Sequence, residues 1–350
     1  MTHDRLLHSG RVFIIAEAGV NHNGDPALAR QLIDAAAAAG ADAVKFQLFD
    51  PSEIVSRDAP LAAYQKNSGE ESHHAMLMRL TLPLKEYAAL KKHAEKKGIG
   101  FLVTPFDIQS ARFLATLGVP AIKIPSGEIT NLPFLRQVAD LRLFTILSTG
   151  MSTMEEVRDA ISPFREKRVS FALLHCVSCY PAPVGQINLR AMEALKKEFS
   201  VPIGYSDHTE GIDVAVTAAA LGAALLEKHF TINRDLPGPD HAASLEPDEL
   251  TAMITIIRDS AAMKNVRLVE AAFGDGIKKC QPCEENVRAV ARRSVVLTRS
   301  VPAGTVITHA MLAIKRPGTG IPPRDYDRVA GKRTKKELHA GTVLTWDFLE

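Results

Sequence analysis

From residue 12 the chain alternates short, almost wholly apolar runs with longer segments whose apolar positions recur at helical spacing. The runs VFIIAEAG, AVKFQLF, FLVTPF, AIKIPSGE, FTILSTG, FALLHCVS, IGYSDHT and LLEKHFT read as β strands. Strands that are apolar on both faces belong to parallel sheets covered by helices. Between them, LARQLIDAAAAAG, YAALKKHAEKKG, MEEVRDAI, LRAMEALKKEF and DVAVTAAALG carry the one-sided pattern of surface helices. Eight β–α units in about 250 residues predict an α/β fold of the (β/α)8 TIM-barrel type rather than an open doubly wound sheet. No GxGxxG follows the first strand, so the dinucleotide-binding alternative loses its main support.

After the helical segment DELTAMITIIRDS the texture changes. Residues 1–263 read as the barrel, the polar stretch 264–290 as a linker, and 291–350 as a small β-rich module. The module contains a short internal repeat, VPAGTVITHAML at 301–312 and LHAGTVLTWDFL at 338–349. Each copy predicts a turn at Ala-Gly, a short β run, and a threonine that caps one helical turn. Between the copies, IKRPGTGIPPRDYD is too rich in glycine and proline for regular structure.

Composition narrows the picture only a little. A chain of 350 residues accommodates a barrel plus a module of this kind. Its 42 basic residues are offset by 40 acidic ones, which argues against a dedicated nucleic-acid binder. The opening MTHDRLLHSGRVF lacks the apolar stretch of a signal peptide, and no segment approaches the ~18 apolar residues of a membrane span. A cytoplasmic protein without nucleic-acid or membrane partners is expected. Four cysteines form two CxxC pairs, Cys176/Cys179 and Cys280/Cys283, but the pairs are too far apart in the chain for a zinc ribbon, and reduced, unpaired thiols are expected.

In a barrel of this kind chemistry gathers at the C-terminal ends of the strands. Those ends carry Glu17; Lys45 and Gln47; Thr104; Lys123, Ser126 and Glu128; Ser148; Ser178 and Tyr180; Ser206, Asp207 and His208; and Glu227, Lys228 and His229. A lysine on an apolar strand costs several kcal/mol unless an anion compensates it. Lys45 and Lys123 therefore point either to a bound anion or to an internal ion pair with Glu17 or Glu128. The small hydroxyls, with the glycines of PSGE and STG, suit phosphate or carboxylate oxygens. His208 and His229 end neighbouring strands and are able to share a divalent ion, although a lone histidine is more often a hydrogen-bonded core residue. Tyr180 is open between packing and substrate contact. Asp207 alternates with Ser206 and His208, so it is expected to face away from them and to make a structural hydrogen bond.

Taken in order, AEAGVNHNG, AVKFQ, TPFD, KIPSGEITN, LSTGM, LHCVSCYPAP, GYSDHT, EKHFT, LPGPDHAASLEP and KRPGTGI resemble the bacterial sialic acid synthase family over nearly the whole chain, and the module resembles that family's antifreeze-like (SAF) domain. The resemblance implies condensation of phosphoenolpyruvate with an N-acylated mannosamine-type aldehyde, giving a nine-carbon sialic acid (N-acetylneuraminate or N,N'-diacetyllegionaminate) and phosphate. It implies a divalent metal, Mn2+ with Mg2+ or Co2+ as alternatives, held by His208 and His229 to polarise the aldehyde. Lys45, Thr104, Lys123, Ser126, Ser148 and Ser206 match the phosphoenolpyruvate contacts, and Ser178 stands where some members place an asparagine. Glu17 and Glu128 match acidic residues near the reacting centre, with Glu128 favoured for handling the water. Gln47, Tyr180 and Asp240 match sugar contacts, and Asn67 is a further candidate. Arg316 matches an arginine offered to the partner subunit's site, which implies a domain-swapped homodimer. PSGE and GPDH favour the neuraminate or legionaminate branch over pseudaminate synthesis. A non-catalytic glycan-binding protein is the remaining reading, and a metal pair beside an anion cradle speaks against it.

Overall fold

In a computed structural model the described residues are 11–55 and 72–350; Asn67 lies outside them. Eight parallel strands close into a barrel in chain order: β1 (Phe13–Gly19), β2 (Ala43–Leu48), β3 (Gly100–Pro105), β4 (Ala121–Ile124), β5 (Phe144–Ser148), β6 (Phe171–Cys176), β7 (Ile203–Asp207) and β8 (Leu225–His229). The layer of helices around them comprises α1 (Pro26–Ala38), α2 (Leu84–Lys96), α3 (Ile108–Leu117), α4 (Leu132–Asp140), α5 (Met154–Glu166), α6 (Ala191–Phe199), α7 (Asp213–Ala220) and α8 (Pro247–Arg258). Local chemistry sets several of their starts. Asp25 accepts from Ala27 N ahead of Pro26, and Thr153 with Glu156 forms a reciprocal cap on α5.

The strand period of two sorts the barrel interior into layers. Phe13, Ile15, Ala43, Leu102, Ala121, Phe144, Ile146, Ala172, Leu174 and Leu225 make a buried apolar cluster of their own, separate from the larger one between strands and helices. This cluster is the floor. At that level β7 offers Gly204, where a Cβ would stand 2.7 Å from Leu174 Cδ2, so only glycine leaves room for its neighbours. Two residues further along the same faces the side chains turn polar: Glu17, Lys45, Thr104, Lys123, Ser148, Cys176, Ser206 and Glu227. The apolar floor therefore supports a polar layer directly above it.

The C-terminal module has its own core, including Val295, Leu297, Ile307, Leu312, Val329 and Leu344. Within it β9 (Ser294–Leu297) pairs antiparallel with β10 (Leu312–Lys315). The repeat is visible as two glycine turns in the left-handed region, Gly304 at φ +77° and Gly341 at φ +85°, each leading to one 3-10 turn. The two copies meet where Val301 bridges Leu338. Two details depart from the sequence expectation. The β runs shrink to single bridges at Val306 and Val343, and Thr308 and Thr345 hold the cap positions without a side-chain cap bond.

The 264–290 stretch is more structured than its polarity predicts. It carries 3-10 turns at Glu270–Ala272 and Pro282–Glu284, leads into α9 (Glu285–Ala291), and buries Lys278, Gln281 and Glu284. Among the described residues no helix is long and apolar enough to cross a membrane.

Candidate active site

A cleft opens at the C-terminal ends of the barrel strands. It is lined by every sequence-predicted residue named above among the described residues except Glu128, Asp207 and Lys228. At its base lie four charged groups. Lys45 Nζ is 2.6 Å from Glu17 Oε2 and 3.7 Å from Glu227 Oε2, and it donates to Thr104 Oγ1 at 3.0 Å. Lys123 Nζ donates to Glu227 Oε1 at 3.2 Å, and so does Ser206 Oγ at 3.0 Å. Two ammoniums and two carboxylates thus neutralise one another inside the barrel, and the internal ion pair Lys45–Glu17 is one of the two arrangements the sequence left open.

The environments of these groups differ. Burial pushes the Glu227 carboxyl up, but Lys123 and Lys45 more than offset this and hold it down at about 2. Burial also pushes Glu17 up, and Lys45 only partly reverses that, so Glu17 takes a proton more readily than an ordinary glutamate. Lys123 is pulled below the usual lysine range by burial, which Glu227 opposes. Of the two lysines, Lys123 gains more from an added anion, because it has the weaker compensation.

Above the ion pairs, the ends of β4, β5 and β6 supply hydroxyls. Ser126 Oγ accepts from Gly150 N at 2.9 Å, and a Cβ on Gly150 would collide with the Ser178 hydroxyl. Ser148 Oγ is buried without a hydrogen-bond partner, a donor and acceptor facing the cleft. This rim is the part of the site suited to phosphate or carboxylate oxygens.

On the opposite side stand the two histidines, ring centroids 5.5 Å apart, with Tyr180 4.1 Å from His208. His208 Nδ1 donates to Val177 O at 2.7 Å, which orients the ring and leaves Nε2 for the cleft. Burial and then His208 hold His229 well below the ordinary histidine range, so it stands neutral, the form that ligates metals. His229 Nδ1 is buried without a hydrogen-bond partner and lies 4.0 Å from Asp240 Oδ2. Burial, then Glu17, raises Asp240 to about 6. Burial opposes charge on His208, but Cys176 and the bond to Val177 O outweigh it and raise its pKa, so a divalent ion would have to displace a proton there. His229, with its orphaned nitrogen, is the readier ligand of the pair. Among the described residues no group of three or more His, Cys, Asp or Glu encloses such a site, so the remaining positions fall to water and substrate oxygens.

Glu128 requires a correction. It is fully buried beneath the mouth, where Oε1 accepts from Arg293 Nε at 2.6 Å and Oε2 from Asn131 Nδ2 at 2.8 Å. Residues Ser126–Glu128 form a 3-10 turn, which breaks the strand alternation and rotates the carboxylate out of the cleft towards the module. Arg316 N–H donates to Ile54 O at 2.8 Å and its guanidinium lies 5.6 Å over Phe106, at the lining of the cleft. The module is held there by Arg293–Glu128 and by Arg292, which pairs with Glu156 at 2.5 Å. Asp207 faces away, as alternation predicts. It accepts from Lys228 Nζ at 2.7 Å, Thr209 N at 2.9 Å and Tyr205 Oη at 3.1 Å, which also accounts for buried Lys228. Glu227 is the residue that sequence reasoning left without a role, although it shares a strand face with His229. The four cysteines are free thiols.

A barrel whose mouth joins buried lysines, a hydroxyl rim and a histidine pair defines an enzyme for an anionic substrate and a second, oxygen-rich one. The chain belongs to the NeuB family: that family's model matches residues 32–268, and the SAF domain model matches residues 292–350. It is 45% identical to the N,N'-diacetyllegionaminic acid synthase of Legionella pneumophila, over 97% of this chain and 94% of the relative. It is 44% identical to the synthase of the same name from Campylobacter jejuni, over 95% and 99%. Among solved structures, the spore coat polysaccharide biosynthesis protein SpsE of Bacillus subtilis superposes with a TM-score of 0.83 at 36% identity, covering 98% of this chain and 96% of that one.

Proposed function

We propose that this chain condenses phosphoenolpyruvate with an N-acylated mannosamine-type aldehyde to give a nine-carbon sialic acid and phosphate. The diacetylated sugar leading to N,N'-diacetyllegionaminate is favoured by the two synthases of that product at 44–45% identity. The observation that carries the reading is the convergence, in one cleft, of a lysine-and-hydroxyl cradle with the His208–His229 pair.

Phosphoenolpyruvate carries its charge on a phosphate and a carboxylate. Lys123, Lys45, Thr104, Ser126, Ser148, Ser178 and Ser206 bind those oxygens, with Glu227 keeping both lysines protonated. Gln47, Tyr180, Asp240 and Arg316, nearer the mouth, orient the sugar. In the reaction C3 of phosphoenolpyruvate bonds to the aldehyde carbon, water adds at C2, and phosphate leaves by C–O cleavage. His208 and His229 would hold a divalent ion, manganese in this reading, which would supply Lewis-acid polarisation of the aldehyde oxygen. Glu17, whose carboxyl is raised and which accepts from Gln47 Nε2 at 3.3 Å, holds a proton at the boundary between the two substrates. With Glu128 committed to Arg293, Glu17 is the acid–base group of this site. Four free thiols accord with a reducing, cytoplasmic setting.

The test supplies phosphoenolpyruvate and Mn2+ with 2,4-diacetamido-2,4,6-trideoxymannose, N-acetylmannosamine or the altro-configured analogue that leads to pseudaminate, and measures phosphate release. Release is expected with the first, to be lost on chelation of the metal. Silence with all three aldehydes overturns the reading.

A further inference from the structure

The 264–290 segment places a fully buried carboxylate, Glu284, behind the hydroxyl rim. Its Oε1 accepts from Met151 N and from Ser178 N, both at 2.7 Å, and its Oε2 accepts from Gln281 N at 2.8 Å. One carboxylate oxygen therefore ties the chain beyond β5 to the chain beyond β6. They are tied at the point where the rim is tightest, since Gly150 donates to Ser126 Oγ at 2.9 Å and has no room for a Cβ beside Ser178.

Met151 is the residue under constraint. Its φ is +58°, in the left-handed region that residues with side chains rarely adopt. Its peptide groups are held from both sides by residues that follow the barrel: Glu284 takes the N–H, and Arg292 Nη2 donates to the carbonyl at 2.7 Å. Lys278, whose Nζ is buried without a hydrogen-bond partner, lies within electrostatic range of Glu284. It balances the carboxylate without displacing the backbone amides from it.

We propose that Glu284 is a positioning residue for the phosphate group of phosphoenolpyruvate. By fixing Met151 in its left-handed turn and Ser178 beside it, Glu284 holds the Ser126, Gly150 and Ser178 cluster at the spacing that phosphate oxygens require. The inference rests on the substrate reading above and adds to it that the segment joining barrel and module shapes the deeper substrate's site.

Calorimetric titration of phosphoenolpyruvate into the full chain, with initial-rate KM values for both substrates, tests it on wild type, Glu284→Ala and Glu284→Asp. The alanine variant is expected to weaken phosphoenolpyruvate by about tenfold, the loss of a charge-assisted bond, with the aldehyde KM within about twofold of wild type. Aspartate keeps the charge but lacks the reach to bridge both amides, so it falls between the two; should the alanine chain not fold, the aspartate chain decides. Adding Met151→Gly to Glu284→Ala is expected to restore much of the phosphoenolpyruvate affinity, because glycine takes the left-handed turn unaided. A folded Glu284 variant with unchanged phosphoenolpyruvate binding, or an equal rise in both KM values without recovery from Met151→Gly, overturns the proposal. If wild type itself fails to bind phosphoenolpyruvate, the substrate reading falls and takes this inference with it; wild-type binding that is indifferent to Glu284 sinks the inference alone.

Discussion

The two halves of the barrel mouth are built on the same inward register yet by different means. The half made by β8, β1 and β2 is charged: Glu227, Glu17 and Lys45 interlock within one strand layer, and all three come from strand positions two residues above the apolar floor. The half made by β4, β5 and β6 is mostly neutral, a rim of Ser126, Ser148 and Ser178 whose shape depends on Glu284 and Arg292 from beyond the barrel. The charged half is rigid because its members neutralise one another. The hydroxyl half is rigid because a later segment clamps it.

The largest effect is expected on the charged half. Glu227→Ala leaves Lys45 and Lys123 sharing one carboxylate, and removing a partner from a buried ion pair costs about 3–5 kcal/mol. Urea unfolding should show a loss in that range; a loss below about 1 kcal/mol would mean the lysines do not depend on Glu227. On the other half, Glu128→Gln should lower stability by about 2–3 kcal/mol through its bond to Arg293 while kcat of the folded enzyme stays within a few fold. A kcat collapse with unchanged unfolding would return Glu128 to the chemistry.

The pH dependence of stability separates the halves further. His22, just past β1, is held down to about 4 and His175, on β6, to about 3, both chiefly by burial. An unfolded histidine titrates near ~6.5, so below that pH the unfolded chain binds protons the folded chain refuses. This contribution is fully present above about pH 6.5 and is lost as pH falls towards 4 and 3, at about 1.4 kcal/mol per unit for each histidine. Denaturation at pH 7.5 and pH 5 should therefore differ by about 2–4 kcal/mol. Replacing His22 or His175 singly by glutamine assigns each share to its half, and equal stabilities at the two pH values would reject neutral burial.

The smallest effect is a change in gel mobility. The Cys179 thiol lies within interaction range of the Cys283 thiol, one residue before Glu284. Oxidation by glutathione disulfide, with two electrons passing to that reagent, should join them within one chain. Denatured, unreduced protein is then expected at monomer mass, whereas a dimer-mass band would show that the segment reaches a partner.

Much of this molecule is legible in its sequence. The eight apolar runs are the eight barrel strands, and the switch from apolar to polar on each inward face marks the cleft. Glu227 was equally visible, two residues before His229 on the same face. What resisted reading follows from local geometry and distance. Glu128 follows Ser126 by two, so alternation places both in the cleft, but the 3-10 turn replaces a period of two with one of three. Its partner Arg293 lies 165 residues away. Glu284 looked like linker polarity because its partners are backbone N–H groups, which no side-chain pattern records. The place of Arg316 at a site mouth came from resemblance, since its run KRPGTG is irregular and no strand pattern positions it; in the structure it lines the cleft.

The apolar floor has a consequence for traffic. Because Phe13, Leu102, Phe144, Leu174 and their neighbours plug the barrel from below, the described residues leave no passage through the barrel, and the cleft is entered at the strand ends. Whatever occupies Lys123 lies behind whatever occupies Tyr180 and Arg316. Depth thereby becomes sequence in time: the deep guest must arrive before the shallow one, and the phosphate it leaves behind must wait for the newly made sugar acid to clear the threshold.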